Sequence, residues 1–463
     1  MIQLPFARSL RRFAVTIALF VVGIGVVDAA PKPNILFLFA DDMRADSLGA
    51  LGNPVVKTPN LDTLVKRGFA FRNAYCLGGN SPAVCTPSRN MLLSGNAYFR
   101  WRDHVSPMGG KKPGMLAPGT APNFPLSMQE AGYVTYHHGK RGNTALEIQA
   151  KFQQNKYLKN DEGDRKDGEP GKEIVDEAIQ FVNGGHENKP FFMYLAFGNP
   201  HDPRVAAPKY LEQYDPAKLP LPKNFLPLHP FNNGEMTIRD EKLLPWPRTE
   251  EAIRRTHQEY YATITGLDFH IGRLLDALKT SGQLDNTIII FSADQGIAIG
   301  SHGLLGKQSL YDAAMKAPLV FAGPGIPHGQ SDALVYLLDI YPTVYELAGA
   351  SAPQGIDGQS FRPVLAGQAT RARDELFLSY MGVQRAVRDE RWKLIRYPQV
   401  NVTQLFDLQA DPDEMRDLSA DSAQAARIEQ MLARLKTAQD KYGDTQPLTV
   451  ADPQPAAWTP PTP

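Results

Sequence analysis

The chain lacks the features of a disulfide-bonded, nucleic-acid-binding or repeat protein. Only two of its 463 residues are cysteine, so disulfides cannot form a framework and stability has to come from an apolar core. Basic and acidic residues number 49 each, so the sequence predicts no broad basic face for nucleic acid. No internal repeat is seen, and the length suits one large domain with a smaller one.

Long apolar runs are scarce as well. The run near the N-terminus, residues 13–27, is short for a membrane span. Three arginines at 8–12 precede it, and Val27-Asp28-Ala29 has the pattern of a cleavage motif. We therefore expect residues 1–30 to be a signal peptide and the mature protein to be periplasmic or secreted, without stable membrane insertion. An uncleaved anchor is the alternative.

Four almost wholly apolar runs predict strands buried on both faces, which is typical of a sheet covered by helices. Ligands of open α/β sheets bind beyond the carboxyl ends of the strands. Polar groups follow all four runs, which predicts a functional site at that edge. The runs and the residues that follow them are 34–39 with Asp41 and Asp42, 132–136 with His137, His138 and Lys140, 191–197 with His201, and 287–291 with Asp294 and Gln295.

The predicted fold class is α/β. A mixed, mostly parallel central sheet is sandwiched by helices, and a smaller C-terminal antiparallel sheet plus a helix follows it. The predicted helices lie at 58–68, 172–182, 251–280 and 422–442, and the predicted C-terminal strands at 375–380, 384–388, 392–397 and 404–408. The predicted division is a catalytic domain at 31–370, a C-terminal α+β subdomain at 371–443 and a proline-rich tail at 444–463.

Two of these strand ends supply the oxygen atoms of a predicted metal site. Asp41 and Asp42 are adjacent, and a turn after the strand allows both carboxylates to converge. Such close carboxylates repel each other unless a cation lies between them. Asp294 and the amide of Gln295 add two oxygens, and an all-oxygen set favours Ca²⁺ or Mg²⁺ over zinc. Asp41 taken alone is more typical of a turn or a helix cap.

The pentapeptide Cys85-Thr86-Pro87-Ser88-Arg89 predicts a helix start beside a lone cysteine. Thr86 can cap this helix, and Gly95 is a natural stop. A cysteine just ahead of the helix faces unpaired N–H groups that stabilise an anion, and Arg89 can add a charged donor. A buried cysteine or a disulfide with Cys76 is the alternative.

Cys-x-Pro-Ser-Arg followed by Leu-Leu-Ser-Gly resembles the signature of the formylglycine-dependent sulfatases of the alkaline-phosphatase-like superfamily. The resemblance runs from about Pro33 to Leu418 and implies an alkaline-phosphatase-like fold. It implies that a separate maturation enzyme oxidises Cys85 to formylglycine (3-oxoalanine), whose hydrate is the nucleophile, and that each chain binds one Ca²⁺. The implied activity is sulfate ester hydrolysis, and the expected substrate is a sulfated carbohydrate.

The same resemblance implies a role for each residue of the predicted site. Gln295 stands where the family usually has Asn or His, and its amide oxygen still suits a metal. The matches are Asp41, Asp42, Cys85, Asp294 and Gln295 at the calcium ion, Arg89 steadying the formylglycine, Lys140 and Lys307 binding sulfate, and His201 binding sulfate and protonating the leaving oxygen.

One position departs from the family pattern. The family usually has Gly-Lys-x-His, whereas this chain has Gly-Lys-Arg-Gly at 139–142, so a histidine that would bond the nucleophile is absent. His137, His138 and Asn143 are the candidates to replace it. The departure bears on the rate and on the orientation of the nucleophile more than on the reaction class.

Two other functions remain open at this point. A phosphomonoesterase or phosphodiesterase of the same superfamily suits the fold and the metal, although Ser or Thr normally stands there in place of Cys85. A non-catalytic binder of sulfated glycans suits the lost histidine but not the retention of the other site residues.

Two further segments suggest substrate contacts. Residues 203–250 are rich in proline and too long for an ordinary connection, which predicts a lid or substrate loop. Residues 98–104 mix aromatic rings with arginines. That mixture suits a sulfated sugar and an ordinary amphipathic surface equally.

Overall fold

The structure is a computed structural model that describes residues 1–3, 32–109, 112–159, 167–187 and 189–461. The described residues from Pro33 to Pro461 form one compact unit. The predicted signal peptide therefore lies, apart from its first three residues, outside the described residues. Among the helices of the described residues, none combines the length and the apolar character that a membrane crossing requires.

The elements of the described chain alternate between strands and helices along most of its length. The strands are β1 Asn34–Ala40, β2 Phe69–Tyr75, β3 Gly78–Gly79, β4 Val134–Gly139, β5 Gln154–Tyr157, β6 Phe191–Ala196, β7 Thr287–Ala293, β8 Lys316–Ala322, β9 Gly329–Tyr336, β10 Leu376–Tyr380, β11 Gln384–Arg388, β12 Trp392–Tyr397 and β13 Val402–Asp407. The helices are α1 Pro59–Arg67, α2 Cys85–Ser94, α3 Phe124–Glu130, α4 Leu146–Gln149, α5 Lys172–Val182, α6 Pro208–Leu211, α7 Glu250–Thr280, α8 Asp312–Met315, α9 Ile340–Leu347, α10 Arg362–Leu365 and α11 Ala425–Tyr442.

The central sheet has eight strands in the order β5-β4-β6-β1-β7-β8-β2-β9. β1 pairs in parallel with β6 and β7, so that Ile35 lies opposite Phe192 on one side and Ile288 on the other. β8 runs antiparallel to β7 and to β2, which makes the sheet mixed but mostly parallel. This arrangement confirms the predicted fold class and brings the carboxyl ends of β1, β4, β6 and β7 to one edge.

Helices flank this sheet in two groups. α7 packs against α1 and α5, whereas α2, α3 and α9 pack together. The apolar stripe of α7 is buried because its members recur at three- and four-residue steps and so share one face. The fully buried members of this stripe are Ile264, Leu267, Ile271, Leu274 and Leu278. The bounds of α1, α5 and α7 agree with the sequence prediction to within about one residue.

The second sheet has the order β13-β12-β11-β10-β3 and is not wholly C-terminal, because β3 comes from the chain just ahead of α2. β3 consists of two glycines, and any larger residue would clash at either position. A Cβ on Gly78 would lie 1.9 Å from the backbone oxygen of Ser379, and one on Gly79 would lie 2.3 Å from Cγ of Pro87. The glycine pair therefore lets the chain pass between β10 and α2.

A buried cluster of charged groups joins the two sheets. The ammonium of Lys393 on β12 lies 2.8 Å from Oδ1 of Asp312 and 2.6 Å from Oε1 of Glu414. Oδ2 of Asp312 accepts a hydrogen bond of 2.7 Å from the hydroxyl of Tyr75 on β2. Lys393 is fully buried and the side chain of Asp312 is 14% exposed, so Lys393 depends on Asp312 and Glu414 for its charge compensation.

Candidate active site

Polar side chains from the ends of β1, β4, β6 and β7 converge at one point. Asp42 adopts a left-handed backbone conformation with φ of 60°, which turns the chain after β1 and brings both of its aspartates to the same side. The backbone N–H of Asp42 donates to Oδ1 of Asp294 at 3.0 Å, and that of Gln295 donates to the same oxygen at 3.1 Å. The turns after β1 and β7 are therefore held together.

Cys85 lies in the middle of this group, fully buried. Its sulfur is 3.2 Å from Oδ1 of Asp41, 2.9 Å from the ammonium of Lys307 and 3.2 Å from the amide nitrogen of Gln295. The sequence expectation for the helix start is wrong in detail. Cys85 is the first residue of α2 itself, its N-cap is Val84, and no side chain caps the helix.

Both cysteines are free in the structure, so the alternative of a Cys76–Cys85 disulfide is also wrong. Burial raises the pKa of the Cys85 thiol well above its usual value, and the carboxylates of Asp294 and Asp41 raise it further. The charges of Lys140 and Lys307 lower this pKa but do not offset the other effects. For an unmodified Cys85 this direction favours the thiol over the stabilised anion that the sequence suggested.

Arg89, one turn into α2, holds the carboxylates and does not touch the sulfur through any hydrogen bond described. Its Nε donates to Oδ2 of Asp294 at 2.9 Å, and its Nη2 is 3.6 Å from Oδ2 of Asp41. Ser88 donates from its hydroxyl to the backbone oxygen of Asp294 at 2.6 Å. The pentapeptide thus fixes the carboxyl end of β7 as well as presenting the cysteine.

The predicted metal ligands lie close enough together that they could hold a cation. Ligand atoms of Asp41, Asp42, Cys85 and Asp294 all lie within 4.8 Å of one another, and all four residues are buried. Oε1 of Gln295 is buried in the same place and has no hydrogen-bond partner. A buried oxygen without a partner is costly, and the oxygens of Asp41, Asp42, Asp294 and Gln295 suit Ca²⁺ or Mg²⁺.

The carboxylates differ in their electrostatic surroundings. Burial would raise the pKa of Asp41, but the charges of Lys140 and Arg89 hold it well below its usual value. Burial raises the pKa of Asp294, and the neighbouring charge of Asp41 adds to the effect. A cation among these groups would remove the repulsion that raises it.

The two predicted sulfate-binding lysines each pair with a different aspartate of this site. The ammonium of Lys140 bonds Oδ2 of Asp41, and that of Lys307 lies 2.8 and 2.9 Å from the two carboxylate oxygens of Asp42. Burial would lower the pKa of Lys307, but the charge of Asp42 raises it well above its usual value. Both ammonium groups are thus held beside the nucleophile position.

His201 is the most exposed of the predicted site side chains, at 12%. Its Nε2 lies 3.6 Å from Oδ2 of Asp42, while its Nδ1 lies 2.6 Å from the backbone oxygen of Asp202. A carbonyl can only accept, so Nδ1 carries a proton and Nε2 faces the site. Burial and the charge of Lys307 lower the pKa of His201, which favours the neutral ring as long as no anion is bound beside it.

None of the three candidates for the missing histidine contacts Cys85 in the described structure. β4 runs three residues further than predicted, so His137 and His138 are strand residues and only Lys140 follows the strand. His137 bonds Asn155 at 2.7 Å, and His138 faces Glu177 on α5. Asn143 is exposed. The contacts to the sulfur come from Lys307 and Gln295 instead.

Tyr260 was not predicted as a site residue, but it shapes the site. Its hydroxyl donates to the backbone oxygen of Asp42 at 2.9 Å and accepts from the N–H of Arg44 at 2.9 Å. It therefore pins the turn after β1. A tyrosine on the buried face of a long helix carries no distinguishing signal in one sequence.

The two segments suspected of substrate contact are both anchored to the rest of the protein by some of their residues. Residues 98–104 bury Tyr98 and Trp101, and Phe99 stacks on Tyr98 and packs near Tyr442 of α11. These rings serve the core and offer no stacking platform. Residues 203–250 contain α6 and two short 3-10 turns, and they contact the loop that carries Lys307.

Comparison with known proteins gives the family to which the chain belongs. A family model described as Sulfatase matches residues 33–350, and a model described as N-sulphoglucosamine sulphohydrolase, C-terminal, matches residues 300–441. The first match covers more than half of the chain. The chain belongs to the sulfatase family.

Named relatives of this sulfatase align over most of their length. It is 26% identical to an N-acetylglucosamine-6-O-sulfatase of Bacteroides thetaiotaomicron, over 90% of this chain and 88% of that protein. It is 25% identical to an arylsulfatase of Clostridium perfringens, over 86% of this chain and 92% of that protein. Family membership and these named relatives make the chain a sulfuric ester hydrolase, which is the first of the functions that the sequence predicted.

Solved structures share the fold. One, described as a complex with its substrate D-glucosamine-2-N,6-O-disulfate, has a TM-score of 0.72 at 23% identity and covers 90% of this chain and 99% of that chain. A phosphonate monoester hydrolase from Silicibacter pomeroyi has a TM-score of 0.71 at 24% identity, over 90% and 96%. At these identities the likeness concerns the fold alone.

Proposed function

We propose that this sulfatase removes sulfate from a sulfated carbohydrate, with Cys85 oxidised to formylglycine and one Ca²⁺ bound beside it. The observation that carries the proposal is the position of Cys85 between three carboxylates and two ammonium groups. The substrate class is supported by the glucosamine sulfates in the names of a relative and of a structural neighbour.

The residues present fit both groups. The atoms around the sulfur of Cys85 are an ammonium, an amide N–H and a carboxylate, which suit hydroxyl groups better than a thiol. Asp41, Asp42, Asp294 and Gln295 would hold the cation. When present, the hydrated formylglycine supplies an oxygen nucleophile, and the Ca²⁺ supplies positive charge next to the sulfate oxygens.

A count of charges supports this assignment. The carboxylates of Asp41, Asp42 and Asp294 are matched by Arg89, Lys140 and Lys307. The protein groups thus sum to zero, and a divalent cation leaves two positive charges for a monoanionic sulfate ester and an ionised nucleophile. In this proposal Lys140 and Lys307 turn from the aspartates to the sulfate oxygens, where such preorganised charge is often the largest catalytic contribution.

His201 is the proposed general acid. Because its Nδ1 donates to the backbone oxygen of Asp202, its Nε2 is directed at the site and can pass a proton to the leaving oxygen. Negative charge on the bound sulfate favours the protonated ring that this step needs. Asp294, whose ligand oxygen lies within 4.8 Å of the sulfur of Cys85, is the proposed acceptor of the proton from the nucleophile.

The signal-peptide pattern supports a periplasmic or secreted location. It implies that the maturation enzyme acts on the chain before or during export. The remaining partner in the proposal is the sulfated carbohydrate.

Mass spectrometry of the Cys85 peptide from catalytically active protein tests the proposal. We expect the mass of formylglycine, and we expect that chelation removes activity and that added Ca²⁺ restores it. Gln295→Leu should weaken Ca²⁺ binding without lowering the melting temperature appreciably. Full activity with an intact Cys85 thiol, or in protein shown to be free of metal, would refute it.

A further inference from the structure

Three consecutive residues in the segment 203–250 contact both arms of the proposed sulfate site. These arms are the loop that carries Lys307 and the loop that carries His201. Arg239 immediately precedes a short 3-10 turn, Asp240–Leu243, and Asp240 and Glu241 begin it. Asp240 and Glu241 are buried, whereas the neighbouring Lys242 is exposed. Each of the three makes a different contact with the loops that carry Lys307 and His201.

Glu241 holds the loop just ahead of Lys307. Its carboxylate accepts hydrogen bonds from the backbone N–H groups of Leu305 at 2.9 Å and of Gly306 at 2.8 Å. Arg248, whose side chain is fully buried, donates to the other carboxylate oxygen at 2.7 Å. A buried carboxylate with these donors fixes two successive peptide groups.

Asp240 holds the loop just after Lys307. Its Oδ2 accepts from the amide of Gln308 at 2.7 Å, and Oε1 of Gln308 accepts from the backbone N–H of Lys307 at 3.0 Å. Lys307 is therefore tied on both sides to one turn. A long flexible lysine needs such backbone support if its ammonium is to stay beside Cys85.

Arg239 reaches the other arm. Its guanidinium bonds both carboxylate oxygens of Asp202, and its Nε lies 2.8 Å from Oδ1 of Asp240. Asp202 follows His201 and supplies the backbone oxygen that receives the proton of Nδ1. The orientation of His201 thus depends on a residue that Arg239 holds.

We infer that Arg239, Asp240 and Glu241 are positioning residues that set the geometry of Lys307 and His201 for sulfate binding and proton transfer. The inference rests on the proposed function, because it assigns the tripeptide to the two groups that handle sulfate and the leaving oxygen. A misplacement of about 1 Å in such groups can cost roughly 10²-fold in rate.

The binding of inorganic sulfate to the Ca²⁺-loaded protein, measured by calorimetry, tests the Lys307 arm. We expect Asp240→Ala and Glu241→Gln to weaken binding by roughly 10- to 100-fold. The matched control is Lys242→Ala on the same turn, which should bind as the parent does. Asp240→Ala that binds sulfate within twofold of the parent protein would overturn the inference. If Glu241→Gln fails to fold by circular dichroism, Asp240→Ala carries the test.

A double-mutant cycle separates positioning from general stability. In a Lys307→Met background, Asp240→Ala should weaken sulfate binding no further, because the group it positions is gone. An undiminished effect would assign Asp240 a role that does not pass through Lys307. If Lys307→Met itself leaves sulfate binding unchanged, the failure belongs to the proposed function and not to the tripeptide.

The His201 arm has its own readout. Arg239→Ala should lower the turnover of a sulfated sugar more than that of nitrophenyl sulfate, since only the sugar needs its leaving oxygen protonated. Equal losses on both substrates would contradict a positioning role for Arg239.

Discussion

At the scale of single residues, Cys85 is the group on which the proposed chemistry depends. Cys85→Ala is expected to abolish turnover. Cys85→Ser is expected to allow at most one sulfuryl transfer per molecule, because a single hydroxyl cannot eliminate the sulfate it has accepted. The product burst with an aryl sulfate measures this directly. Cys76→Ala, the matched control, should turn over repeatedly, and repeated turnover by Cys85→Ser would contradict the proposed nucleophile.

His201 gives a second expectation at this scale. An alkoxide from a sugar needs a proton in the transition state, whereas a nitrophenolate is stable without one. His201→Ala should therefore reduce kcat/KM for a sulfated sugar more than for nitrophenyl sulfate. The contrast should approach about 10²–10⁴-fold, or about 3–5 kcal/mol.

His302 offers the comparison variant for this test. Its ring stacks on Tyr311 at 3.8 Å, and its Nε2 lies 3.1 Å from the amide of Asn224. His302→Ala should show no such dependence on the leaving group. If it does while His201→Ala does not, the proton comes from His302.

Most of the convergence of the site could be predicted because strand ends in parallel sheets meet at one edge. Because Asp41, Asp294 and His201 follow apolar runs, their position at this edge could be predicted. The contacts of Lys307 and Tyr260 could not be predicted, since one lies on an irregular loop and the other on a helix face like any other. The protonated state of Cys85 depends on burial, which no local pattern gives.

At the scale of elements, α7 makes the largest apolar contribution of any one helix to the layer that it shares with α1 and α5. Ile271 is fully buried in this stripe. Ile271→Ala is expected to lower the free energy of unfolding by about 2–5 kcal/mol through lost burial and the cavity left behind. Urea denaturation followed by circular dichroism measures the change. Asp276→Ala, exposed on the same helix, should stay within about 0.5 kcal/mol of the parent.

The elements that sequence reasoning found are those with uniform patterns. β1, β6 and β7 are almost wholly apolar, and α5 and α7 have regular apolar stripes. β2, β8 and β9 were missed for identifiable reasons. β2 carries Arg72 and Asn73 in its middle, β8 contains Pro318, and the first half of β9 is polar and largely exposed. These segments form strands because they pair with one another in the sheet. A local sequence pattern does not show such pairing.

At the scale of the whole molecule, the buried cluster around Lys393 should make the two sheets unfold together. Lys393→Met leaves Asp312 and Glu414 without their shared partner. We expect a loss of about 3–5 kcal/mol in the free energy of unfolding, still in one transition. Lys436→Met, which breaks the exposed pair with Asp440, should cost less than about 1 kcal/mol. Two separate transitions in the parent protein would contradict this coupling.

The complete burial of Cys85 has a consequence for the order of biosynthesis. A maturation enzyme can reach this residue only while the chain is still unfolded. β3, the glycine pair just ahead of it, completes its pairing only when β10 has left the ribosome. The proposed oxidation therefore belongs to the interval between the emergence of the cysteine and the arrival of the second sheet. A host in which the enzyme meets the chain later would accumulate folded but inactive protein.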